Sequence, residues 1–171
     1  AIEIASSLVD QFPEVGEYRF ELSRILWLAA QVRAQANSEN TESRRFDDEQ
    51  IENTLELAAN HLRNLHNQQP QFPAYTFWLG RVCESLAISK HRLSVTKGPG
   101  PPDARGREVE SLMTESIGLQ QSLLDRNPNG NGERLWLIRY EITSLLLSQG
   151  RPGRSGEESK ITELKNELNR L

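Results

Sequence analysis

Three prolines set the plan of this chain. Five residues before each of Pro13, Pro70 and Pro128 stands a leucine (Leu8, Leu65, Leu123). Nine residues after each stands another (Leu22, Leu79, Leu137), and eleven after each stands an arginine (Arg24, Arg81, Arg139). The copies lie 57 and 58 residues apart. A fixed period of this kind marks stacked supersecondary units, each burying its apolar face only against its neighbours. Proline also supplies the breaks, because it disfavours the helical conformation of the residue before it.

Between the breaks, apolar residues recur at three- and four-residue steps, the period of one face of an α-helix. Over residues 1–12 that face carries Ala1 or Ile2, Ala5, Leu8 and Phe12. Residues 15–36 carry Tyr18, Leu22, Ile25, Leu26, Ala29 and Val32, a stripe that Phe20 and Trp27 widen, as in a helix packed on more than one side. Residues 37–45 hold nothing apolar and predict a loop. Asp47, three before Gln50, makes a capping-box-like start for a helix bearing Ile51, Leu55, Ala58, Leu62 and Leu65. Pro73 suits a first helical turn, and Tyr75, Leu79, Val82, Cys83, Leu86 and Ala87 follow on one side. The prolines and glycines of residues 96–106 predict an exposed loop, neither helix nor strand. A helix over 108–125 follows, its pattern interrupted by Gly118 and Gln120. Asn131 is a candidate cap for a helix over 135–148 that Gly150 closes, and Ser155 with Glu158 forms a capping box for a last helix with Ile161, Leu164, Leu168 and Leu171. The expected fold class is all-α, an array of about seven antiparallel helices.

Composition narrows the function. With 36% hydrophobic and 26% charged residues the chain is of a folding kind. Twenty basic against 24 acidic residues leave a net charge of −4, which argues against a nucleic-acid binder that grips the phosphate backbone. Cys83 is the single cysteine, so no internal disulfide forms, in keeping with a reducing, cytoplasmic compartment. No apolar run approaches the ~20 residues of a membrane span, and the start lacks the pattern of a signal peptide. The chain begins at Ala1, already within a helical pattern, and reads as part of a longer protein.

Nothing in the pattern calls for an enzyme, a cofactor or a metal. His61 and His66 stand five apart, which separates them around a helix instead of pairing them as in HExxH, and His91 is more distant still. Cys83 falls on the Leu79 face and reads as a small core residue.

The pair Leu79-Gly80, with Ala58, Leu62, Leu65 and Pro70, resembles the tetratricopeptide repeat, whose first helix carries a Leu-Gly pair and whose unit closes on proline. Leu22-Ser23 and Leu137-Ile138 take the place of the pair in the other copies. Ala1, Ala5, Leu8 and Pro13 match the second-helix positions, and Ser116, Gln120, Leu123 and Pro128 match them with more departures. On that alignment residues 1–171 form one domain: an orphan helix over 1–12, then hairpins over 15–67, 73–126 and 132–171. The period exceeds the ~34 residues of the family by about 23, which longer helices and two polar loops absorb. The run FPEVGEYRFEL also resembles degenerate repeats attached to bacterial Ser/Thr kinases and other regulators.

The resemblance implies an α-solenoid whose first helices line a concave groove, with the repeated arginine pointing into it. Arg24, Arg81 and Arg139 then form a ladder, with Phe20, Phe77 and Leu135 one turn earlier. Guanidinium forks beside apolar side chains suit a peptide of acidic character. A second reading stands beside this one: Glu21 lies three before Arg24 and Glu84 three after Arg81, so each arginine pairs along its own helix. Trp78 and Trp136 face either the groove or the core. The Lys and Asn set with which some family members clamp a terminal carboxylate is missing. The expected function is thus a non-catalytic scaffold that binds a protein or peptide. The alternative is a regulatory or sensor domain of a larger enzyme, such as a bacterial Ser/Thr kinase, with a small ligand between repeats. A third expectation is self-association through the terminal helices, because an open solenoid end leaves an apolar face uncovered.

Overall fold

A computed structural model describes residues 1–37, 44–96, 102–148 and 157–170. Among them are seven helices and no strand: α1 (Ile2–Gln11), α2 (Gly16–Asn37), α3 (Arg44–Gln68), α4 (Pro73–Thr96), α5 (Pro102–Arg126), α6 (Asn131–Ser148) and α7 (Glu157–Leu168).

The periodic prolines make one turn three times. Ahead of each, the helix closes on the repeated leucine, whose carbonyl accepts from the residue four on: Phe12 N to Leu8 O at 2.9 Å, Gln69 N to Leu65 O at 2.9 Å, Asn127 N to Leu123 O at 3.1 Å. The proline then stands second in a four-residue turn, the place that its fixed φ favours. Val15 N donates to Phe12 O at 3.1 Å, Phe72 N to Gln69 O at 3.1 Å and Gly130 N to Asn127 O at 2.9 Å. Each turn reverses the chain, so consecutive helices pack antiparallel. His66 of α3 meets Thr76 of α4 near one end, while Lys90 of α4 meets Glu52 of α3 near the other.

Each helix packs on the next along the chain, and α4 also touches α2 and α6. Phe20 lies against Tyr75 and Trp27 against Trp78, so α2 and α4 run the same way; Phe77 against Trp136 and Glu84 beside Thr143 show the same for α4 and α6. Helix α4 is therefore enclosed on several sides, with Leu79, Val82, Cys83, Leu86, Ala87 and Leu93 buried. Around it, one apolar cluster takes in Leu22 and Leu26 of α2, Leu55 and Leu62 of α3, and Leu112 and Met113 of α5. The repeated leucines Leu22, Leu79 and Leu137 are all buried.

Polar braces cross the same interior. Arg63 of α3 donates Nε and Nη2 to the two carboxylate oxygens of Glu115 on α5, at 2.9 and 2.7 Å. Lys90, 8% exposed, is ringed by Glu52 and Glu56 of α3 and Glu108 of α5, at 2.7, 2.7 and 3.2 Å. Burial opposes its charge, yet the three carboxylates outweigh that and hold its pKa above the usual lysine value.

Several boundaries depart from the sequence reading. Helix α3 starts at Arg44, inside the polar stretch expected to be a loop, so Asp47 does not cap it. Polarity alone stops no helix, and Arg44 and Arg45 are good helix formers. The remainder of that loop, 38–43, lies outside the described residues. Helix α5 starts at Pro102, within the stretch expected to exclude helix, because proline in a first turn gives up an N–H that has no partner there anyway. Residues 97–101 lie outside the described residues. Helix α6 starts at Asn131, a turn ahead of the expected Leu135, so Asn131 is its first residue instead of its cap. Gln120 does not interrupt α5: it is buried, and its Nε2 donates to Glu133 O in the first turn of α6 at 2.9 Å. Gly150 and Ser155, the expected stop and cap, lie outside the described residues.

Gly80 sits where α4 meets both α5 and α6. A methyl group there would stand 3.5 Å from Tyr140 Cε2 and 3.6 Å from Ser116 O, which is ordinary contact, but a longer side chain has no room. Gly80→Ala should therefore raise the melting temperature, since alanine gains about 1 kcal/mol over glycine inside a helix. Gly80→Leu should lower it by several degrees. A lower melting point for the alanine variant would disprove this packing. A pH dependence follows from Glu115, whose hydrogen bonds from Arg63 hold its pKa below the usual carboxylate value against the opposing effect of burial. That stabilisation is complete above the unfolded pKa near 4.5 and is lost as pH falls through the folded value. Glu115→Gln should lose roughly 1 kcal/mol at neutral pH, and its thermal melts should converge on those of the unaltered chain in acid.

Candidate functional site

The period places Arg24, Arg81 and Arg139 on α2, α4 and α6, the three helices that touch in that order. Because each starts from the same proline turn and they run in parallel, the three arginines come to one face. There they meet tryptophan. Arg81 Cζ lies 4.5 Å from the ring centre of Trp27 on α2 and 4.5 Å from that of Trp136 on α6, so a side chain from the middle helix is stacked on rings from both neighbours. Arg24 lies over Trp78 at 5.1 Å and Arg139 over Trp136 at 4.7 Å. A guanidinium over an indole face is attracted by the ring quadrupole and packs its flat surface at the same time. Burial draws the Arg81 pKa below the usual arginine value, and the nearby positive charge of Arg139 adds to this.

One serine fixes the edge of the stack. Ser85 Oγ accepts from Trp27 Nε1 at 2.9 Å and from Gln31 Nε2 at 3.1 Å, and it donates to the carbonyl of Arg81 at 3.0 Å. The indole and the helix carrying its guanidinium partner are held together by the same hydroxyl.

The remaining predicted residues take separate places. Phe20 and Phe77 lie beside Arg24 and Arg81, each at 5.8 Å. Leu135 is exposed on α6, one turn before Arg139. Pairing along the helix occurs at Arg24, whose Nη1 meets Glu21 at 2.8 Å, with both groups largely in water. At Arg81 it does not occur: Glu84 turns to α6, where its Oε1 accepts from Arg139 Nε at 3.3 Å and from Thr143 Oγ1 at 3.0 Å. Among the described residues Arg81 has no carboxylate partner, and its neighbours are rings.

Beside the stack a cleft of about 260 Å³ opens between α2, α3, α4 and α6. Arg81, Arg92 and Arg139 line it with Glu84, above Trp27 and Leu55. Trp27 and Arg92 carry no repeat signature, which is why sequence reasoning passed over them. The later copies put tryptophan directly before the repeated leucine, as Trp78 and Trp136, whereas the first copy has Glu21 there and its indole comes six residues on.

The histidines stay apart. His61 is half-buried, and burial, then the charge of Arg19, lowers its pKa; His66 Nδ1 lies 3.2 Å from Thr76 Oγ1. Among the described residues no group of three metal-ligating side chains assembles, and no helix is long and apolar enough to cross a membrane. Comparison of the chain with protein-family models, curated proteins and solved structures gives no match.

Replacing Arg81 with alanine should remove the layer between Trp27 and Trp136 and admit water. Tryptophan emission should shift to the red and stability should fall by roughly 1–2 kcal/mol. Arg81→Lys should fall between, keeping the charge but not the plane. Emission unchanged in Arg81→Ala would show that the stack does not form in solution.

Proposed function

We propose that this chain is a non-catalytic interaction domain, a short tetratricopeptide-like α-solenoid that holds an acidic peptide or protein segment across the α2, α4 and α6 face. One observation carries the reading: two arginines set by the sequence period, Arg81 and Arg139, line one cleft together with Arg92, so that its lining holds three guanidinium groups against one carboxylate, on a chain whose net charge is −4. A positive cleft on an acidic molecule favours an acidic partner in both encounter and orientation. Stacking engages the flat surface of a guanidinium and leaves its in-plane N–H groups for carboxylate oxygens, so the tryptophans orient donors for a ligand. The order α2–α3, α4–α5, α6–α7 fits hairpins over 15–67, 73–126 and 132–171, preceded by an unpaired helix.

The same cleft bears on the alternative, a sensor domain with a small ligand between repeats. Its 260 Å³ falls below the roughly 300–1,000 Å³ of small-molecule sites, which favours one side chain of a longer ligand over a whole metabolite.

The chain carries its own reporter, because Trp27, Trp78 and Trp136 are its three tryptophans and all lie on this face. A Glu- and Asp-rich peptide should change their emission saturably, with affinity falling as salt is added, and a Lys-rich control should not. Arg92 is exposed and has no ion pair among the described residues, so Arg92→Glu leaves the fold intact. That variant should bind about 10–100-fold more weakly. No saturable response to acidic peptides, or equal binding by Arg92→Glu, would refute the proposal.

A further inference from the structure

The cleft beside the stack runs along the helices. α4 supplies Arg81, Glu84, Ser85, Ile88, Ser89 and Arg92 to its lining, one stripe at three- and four-residue steps, and α2 supplies Trp27, Ala30, Gln31 and Ala34 at the same steps. Ile51 and Leu55 of α3, both buried, close the bottom. Arg81 and Arg92 stand eleven residues apart, three turns of helix or about 16 Å along the axis. Among the described residues neither has a carboxylate partner: Arg81 meets rings, and Arg92 has no ion pair. Between them the fold leaves a polar atom unused. Ser89 is 7% exposed and lines the cleft, yet its hydroxyl forms no hydrogen bond among the described residues. Ser85, four residues earlier on the stripe, instead donates to its own helix and accepts from Trp27 and Gln31. These features break the period. The other copies put Val32 and Leu147 in the place of Ser89, and Gln35 and Gly150 in that of Arg92, so the stripe belongs to the middle layer alone.

We propose that the cleft holds an extended peptide segment lying along α4, with an acidic residue at each end and a threonine midway, in the order acid-x-Thr-x-acid. The proposal rests on the reading of this face as an acidic-peptide site and adds the direction and spacing of the ligand. In an extended chain residues i, i+2 and i+4 point the same way and span about 13 Å. That matches two arginines about 16 Å apart at their backbones, because a helical side chain leans toward the helix start and Arg92 thus leans toward Arg81. A helix, about 10–12 Å across, is too wide to enter a cleft of about 260 Å³. The end carboxylates meet the guanidinium groups of Arg81 and Arg92. The middle residue must be neutral, because Glu84, buried one turn beyond Arg81, already directs its carboxylate to Arg139 and Thr143 and repels a second. It must also be polar on one side and apolar on the other, to meet the Ser89 hydroxyl above Ile88 and Leu55. Threonine combines the two.

Titration of tryptophan emission with short peptides, blocked at both ends, separates spacing from charge. Glu-Ala-Thr-Ala-Glu should bind at least ~10-fold more tightly than Glu-Glu-Thr-Ala-Ala, which has the same composition. It should also bind more tightly than Glu-Ala-Glu-Ala-Glu, although that peptide carries one more negative charge. Exchanging the threonine for valine should weaken binding about 5–10-fold in the unaltered chain and leave it unchanged in Ser89→Ala. Alanine favours a helix more than serine does, so that variant should keep its helicity by circular dichroism. Three results would each overturn the spacing while an acidic-peptide site stands: equal binding of the reordered peptide, binding of the three-glutamate peptide that is as tight or tighter, or a valine penalty that survives in Ser89→Ala. Binding of none of these peptides, nor of any longer acidic one, would overturn both readings.

Discussion

Proline cannot donate a backbone hydrogen bond and resists a helical residue before it. In this chain it imposes that restriction three times at the same phase of the apolar pattern. Each time the preceding helix closes on a leucine carbonyl, the chain turns through one four-residue hydrogen bond, and the next helix begins. Identical turns give α2, α4 and α6 equivalent starts, so residues separated by the period reach equivalent heights. The arginines share a face, and the leucines nine residues past each proline share the core, for this one reason.

Charge inside the molecule works on the same layered plan. α3 and α5 lie on α4 without packing on each other, and polar side chains span the gap: Arg63 to Glu115, and Lys90 among Glu52, Glu56 and Glu108. A partly buried ion pair contributes little net energy over an apolar pair of similar shape, but breaking one partner is costly. Such braces therefore favour one register of the helices over others. On the opposite face of α4 the solution differs. Arg81 meets tryptophan instead of carboxylate, which holds the side chain in place without an ion pair among the described residues.

The helices themselves were largely legible. Ile51, Leu55, Ala58, Leu62 and Leu65 step along α3 as a buried stripe, and all five are buried. The boundaries that differ lie where composition stands in for mechanism: a polar run does not keep α3 from starting at Arg44, and Pro102 opens α5 instead of breaking a helix. At the candidate site, the arginines and Phe20 and Phe77 were readable because they obey the period. Trp27 and the crossing of Glu84 to Arg139 were not, because neither partner lies near the other in sequence.

From its sequence alone this chain determines where helices stop, which residues recur and therefore which belong to equivalent layers. Those are local matters of backbone conformation and apolar spacing, decided within a few turns of helix. Which ring each arginine meets and which carboxylate it loses to a neighbouring helix depend on how three parallel helices abut. Side chains there choose between partners on the same helix and on adjacent ones at similar distances, and only packed tertiary geometry separates those choices.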